Sequence, residues 1–146
     1  MQKSRLAAAA AVAGLFATGL LSLPAHADTL TFHAMLDAAT EVPPKTSAGT
    51  GMLEATLDTA TKKLTYTITY SGLTGAATMA HFHGPALPGA NAGVAVPFKS
   101  PASGSSDTVT LTDAQIADLE AGKWYTNVHT AANPGGEIRG QVIEAK

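Results

Sequence analysis

From Thr29 onward, apolar and polar side chains alternate with a period of two in one short stretch after another. In "TLTFHAMLD" (29–37), Leu30, Phe32, Ala34 and Leu36 share one face, while Thr31, His33 and Met35 share the other. "GMLEATLD" (51–58) repeats the pattern through Leu53, Ala55 and Leu57, and "KLTYTITY" (63–70) does so through Leu64, Tyr66 and Ile68. Alternation of this kind predicts half-buried β-strands. "AATMAHFH" (76–83), "DTVTL" (107–111), "WYTNVHT" (124–130) and "EIRGQVIE" (137–144) extend the set. "AGVAVPF" (92–98) is a weaker strand whose Pro97 demands an edge or an end.

Turn chemistry separates these stretches. "TATKK" (59–63), "SGLTG" (71–75) and "NPGG" (133–136) supply short loops, the last two with the Gly and Asn residues that tolerate positive φ. One segment departs from the period of two. In "LTDAQIADLEAGK" (111–123), Thr112 and Gln115 form a capping box, Ile116 and Leu119 an i, i+3 apolar pair, and Gly122 a stop. The expected fold is therefore all-β: an antiparallel Greek-key β-sandwich, immunoglobulin-like or dismutase-like, of seven or eight strands, with one short helix near 112–121.

The first 27 residues have a different character. Lys3 and Arg5 precede an apolar run over 6–23, and "AHA" (25–27) has the small-x-small pattern of a cleavage site. This predicts a cleaved signal peptide, residues 1–27, and a domain spanning 28–146. The apolar run is long enough for a membrane anchor, but the cleavage signature and the strands that follow favour removal. The protein is then secreted, either periplasmic or extracellular, with no membrane segment after cleavage. Loss of Lys3 and Arg5 leaves seven of the nine basic side chains against eleven acidic ones. No basic stripe is present, which argues against nucleic acid as a partner. The chain has no cysteine. Disulfides, thiolate metal ligands and a cysteine nucleophile are thereby excluded.

Candidate chemistry concentrates in histidine. His81 and His83, in "MAHFHGPALPG" (79–89), point the same way from one strand, with their Cα atoms ~6.5 Å apart. Met79 shares their face, and Ala80 and Phe82 take the opposite, core-facing side. His129 shares a face with Tyr125 and Asn127 in another strand. If these two strands meet, three imidazoles converge, a set that suits copper or zinc, with the Met79 thioether favouring Cu(I). His33 and Glu137 are possible additional ligands alongside Met79. The competing reading leaves the histidines solvated or bracing loops. Glu41, in "EVPP" (41–44), reads as structural, accepting hydrogen bonds from loop amides or from Arg139. There is no nucleophile elbow, no phosphate-binding glycine loop and no evident carboxylate pair, so the reading leans away from an enzyme.

Together, "EVPP", "AHFHGPA", "NVHT" and "NPGGEIRGQ" resemble the chordin-type (CHRD) domain, over about residues 30–144. The family pattern usually reads His-Ile-His where this chain has His81-Phe82-His83. The resemblance implies a secreted β-sandwich, such as occurs as single domains in bacteria, and implies no reaction. His81, His83 and His129 all fall in the shared motifs, whereas His33 does not, which strengthens the reading of a joint site. The leading expectation is a metal-binding protein that captures, stores or delivers copper, with zinc as the alternative ion. A metal-free interaction module with an unidentified protein partner is the rival, and a small dismutase-like oxidoreductase stands behind both.

Overall fold

The computed structural model describes residues 28–146, so the expected signal peptide lies outside the described residues. Eight strands and one helix follow in chain order. They are β1 (Thr29–Asp37), β2 (Thr50–Asp58), β3 (Lys63–Ser71), β4 (Ala77–His83), β5 (Val94–Pro97), β6 (Ser105–Thr110), α1 (Asp113–Glu120), β7 (Trp124–Thr130) and β8 (Ile138–Glu144). All pairings are antiparallel. Among the described residues no helix is long and apolar enough to cross a membrane.

The strands form one sheet in the order β5-β4-β7-β8-β1-β2-β3-β6. The two layers of the expected sandwich are thus two halves of a single curled sheet. Its curl is visible in the aromatic contacts. Tyr66 of β3 meets Phe82 of β4 edge to face, with ring centroids 5.1 Å apart, although four strands separate β3 from β4 in the sheet. Phe98 packs against both rings. The core is drawn from the inward positions that the alternation marks. Leu53, Leu57, Leu64, Ile68, Phe82 and Val128 all have no measurable exposure. Burial of each such side chain contributes about 1.5–3 kcal/mol.

The helix starts where its capping box stands. Thr112 Oγ1 accepts from the Gln115 amide, and Gln115 Oε1 accepts from the Thr112 amide. Its residue Leu119 is buried in the common core and Ile116 packs against it. β5 and β6 are the sheet edges, and Pro97 ends β5, where its missing N–H interrupts no interior ladder. β1 and β8 pair through Phe32 and Glu144, and the Ala145 amide donates to the Thr31 carbonyl at 2.9 Å, so the first and last strands lie side by side.

One strand escapes the pattern. All seven residues of β7 are buried. Its apolar face, Trp124 and Val128, lies in the core. Its other face, Tyr125, Asn127 and His129, is covered by the segment 84–93 and by the segment that leaves β1. Asn91 Nδ2 donates to the Val42 carbonyl and ties those two covers together. Gly84 begins the first cover against Trp124; a Cβ there would overlap the indole, so only glycine allows the chain to turn so close to the ring.

Candidate metal centre

The β4–β7 register places Met79 opposite His129, His81 opposite Asn127 and His83 opposite Tyr125. The two strands do meet, as the three-histidine expectation requires. His81, His83 and His129 form one group whose ligand atoms all lie within 4.8 Å of one another. His81 Nδ1 is 3.0 Å from His129 Nε2. Nitrogens bound to one ion at ~2.0 Å stand about 3.3–3.5 Å apart, so closing the set around an ion draws the widest pair together by at most about 1.5 Å.

Hydrogen bonds on the far side of two rings fix which nitrogen is free. His83 Nδ1 faces the Ala92 carbonyl at 3.0 Å, and His129 Nδ1 faces the Pro134 carbonyl at 2.9 Å. A carbonyl only accepts, so each Nδ1 carries the proton and each Nε2 presents its lone pair inward. Metal-binding histidines are oriented in the same way, by an outer N–H bonded to a carbonyl or carboxylate. Stacking adds a further constraint on His83. Its ring lies parallel to Tyr125, with centroids 4.8 Å apart, and the Arg139 guanidinium also lies over the Tyr125 ring, 3.4 Å from its centre.

His81 and His83 are held neutral at neutral pH. Burial is the main cause that lowers His81, to about 4, with repulsion from His129 and His83 adding to it. Burial likewise lowers His83, against the opposing effect of its bonds to Ala92 and Asn127. A neutral imidazole at neutral pH keeps a lone pair for a cation.

Asn127 stands at the centre of this group, and its part is not foreseen by the sequence pattern. Its Oδ1 lies 3.0 Å from His83 Nε2 and 2.9 Å from His129 Nε2. Its Nδ2 donates to Glu41 Oε1 at 3.4 Å. Glu41 is only 3 % exposed, and burial, the largest influence, raises its pKa. Its expected bond to a loop amide is the one from Val42; Arg139 reaches it through charge and donates instead to Asn91 Oδ1 and the Ala90 carbonyl. The "EVPP" segment therefore touches the site through Asn127. The one available signal was position 127 itself, two residues from His129 on the same face.

The three additional candidates fare differently. Met79 pairs with His129 across the strands and is 46 % exposed, so it borders the group in the register. His33 does not join it. From β1 that residue pairs with Glu54 of β2 and Ile143 of β8, with β8 between it and β7, and it borders a shallow hollow with Met52 and Glu54. Glu137 does not join it either, because its carboxylate is engaged elsewhere. It accepts from Ser47 Oγ, Thr74 Oγ1 and Thr130 Oγ1, each at 2.6 Å, from the Thr74 amide at 2.8 Å and from Asn133 Nδ2 at 3.1 Å. Desolvation, the largest influence, pushes its pKa up. Bonds from Ser47, Thr130 and Thr74 together outweigh it and hold the group down at about 2.

No curated protein and no solved structure matches the chain. The CHRD domain family does, over residues 32–142, a span that contains all three histidines, Asn127 and Glu41. With most of its length accounted for by that match, the chain belongs to the CHRD domain family.

Proposed function

We propose that this protein is an exported metal-binding domain that captures, stores or delivers copper, with zinc as the alternative ion, through His81, His83 and His129. The observation that carries the reading is the convergence of their ring nitrogens within 4.8 Å, with the outer N–H groups of His83 and His129 committed to carbonyls. Imidazole donors suit both ions, and the neighbouring Met79 favours copper. Export is supported by the basic, apolar and small-x-small order of residues 1–27.

The test is titration of the purified metal-free protein with Cu(I), Cu(II) and Zn(II), beside His81→Ala, His83→Ala and His129→Ala. One ion per chain is expected, with affinity reduced about tenfold or more in each variant. Unchanged affinity in all three variants rules out this site.

A second reading also has an observation behind it. The bonds to Ala92 and Pro134 brace two loops without an ion, as a metal-free interaction module would require. The two readings separate on heating. A ligand that binds only the folded state at 100 times its Kd adds about 2.7 kcal/mol. A melting temperature untouched by every ion supports the metal-free module.

A further inference from the structure

The close approach of Asn127 Oδ1 to two imidazole nitrogens has a chemical peculiarity. Each Nε2 is a lone-pair acceptor, because the proton of its ring is spent on a carbonyl. Asn127 Oδ1 is also an acceptor, yet it sits 3.0 and 2.9 Å from them. His81 Nδ1 can donate to His129 Nε2. No proton of the three rings then remains for the contact between His83 Nε2 and Asn127 Oδ1. Three acceptors gathered in this way have no proton to share between them, which is the demand a cation would meet. The separations are close to those between donor atoms on a single ion.

The amide points its oxygen inward because its other end is held. Asn127 Nδ2 donates to Glu41 Oε1, and Glu41 is fixed in turn by the Val42 amide. Gly136 makes room for this pair. Its φ of 123° favours glycine, and a Cβ there would fall on Glu41 Oε1 and within 2.7 Å of Asn127 Nδ2. The "EVPP", "NVHT" and "NPGG" motifs therefore converge on one amide group.

We propose that Asn127 Oδ1 is the fourth donor of the metal centre, and that Glu41 is the positioning residue that turns this oxygen toward the ion. The inference rests on the three-histidine reading and refines it. Three imidazoles and a carbonyl oxygen form a set suited to a divalent ion, Cu(II) or Zn(II), ahead of Cu(I).

The test compares the intact protein with Asn127→Ala, Glu41→Ala and Glu41→Gln. Affinity for Zn(II) and Cu(II) is read by competition with a chelator, and coordination by the visible spectrum of the Co(II)-loaded form. Metal-free melting curves report on the fold separately. Asn127→Ala is expected to lose 10–100-fold in affinity and to change the Co(II) spectrum. Glu41→Ala should lose about tenfold, while Glu41→Gln, which keeps an acceptor oxygen for the amide, should stay within ~3-fold. If Asn127→Ala fails to fold, the two Glu41 variants still decide. Unchanged affinity and spectrum in Asn127→Ala and Glu41→Ala, with histidine variants that do lose binding, overturn this inference alone. A Glu41→Gln variant as weak as Glu41→Ala overturns the positioning role. A wild-type protein that takes up no ion overturns both this inference and the three-histidine reading beneath it.

Discussion

Replacing Glu137 by glutamine should be among the most costly single-atom changes available in this fold. The carboxylate is fully buried and receives five hydrogen bonds, from residues 47, 74, 130 and 133. These donors come from the segment before β2, the turn before β4, the end of β7 and the turn after it. Glutamine keeps one acceptor oxygen and brings an NH2 group against the donors on the other side. The less crowded side is that of Oε1, where the Ser47 hydroxyl can rotate to accept but the Thr74 amide cannot. One stranded buried donor costs about 1–3 kcal/mol, and the surviving bonds lose their charge assistance, so the total is about 3 kcal/mol. For a domain of this size that lowers Tm by about 10–15 °C at neutral pH. The pH dependence gives an independent check. Folded Glu137 stays ionised down to about 2, whereas an unperturbed glutamate takes up its proton near 4.5. Between those values the unfolded chain binds more protons, so the contribution is complete above pH 4.5 and drains away as pH falls toward 2. The assay is thermal unfolding of both proteins from pH 7 to pH 2. The gap between the two Tm values should be constant above 4.5 and shrink below it. A gap that does not change with pH, or no gap at pH 7, refutes the reasoning.

Three other substitutions have defined outcomes. Tyr66 Oη is buried without a hydrogen-bond partner, so Tyr66→Phe should leave stability unchanged or raise it by up to ~1 kcal/mol, read by chemical denaturation. Thr112→Ala removes the capping box of α1 and should cost about 1 kcal/mol, visible in the same experiment. Arg139→Lys loses the planar fork that reaches Asn91 Oδ1, the Ala90 carbonyl and the Tyr125 ring. Amide exchange at Ala90 and Ala92 should then accelerate, because their covering segment is less firmly held.

The strands were legible because one side of each is apolar. Leu53, Leu57, Leu64 and Ile68 lie inside where the alternation puts them, and the Thr112–Gln115 pair marks the helix start to the residue. The single continuous sheet was not legible, since pairing β8 with β1 depends on contacts across more than a hundred residues. The site was half legible. Spacing and motifs brought His81, His83 and His129 together, and the structure places them so. Period two, however, reports only one buried face. It cannot show that the polar side of β7 is roofed by residues 84–93, a run of mostly small residues without alternation whose anchors are hydrogen bonds. Asn127 therefore carried no role of its own in the sequence pattern, and Glu137 stood there as a possible additional ligand. Both are buried, and each is held by partners far away in the chain.

The side-by-side placement of β1 and β8 has a practical consequence for protein engineering. With Phe32 opposite Glu144, the domain presents both of its ends at one spot on its surface. Such a unit can be spliced into an exposed loop of a host protein without forcing the host's chain apart. A short glycine linker can equally join the ends, with new termini opened at the Thr59–Lys62 hairpin, whose tip is exposed. The domain is thus a ready cassette for insertion into another fold.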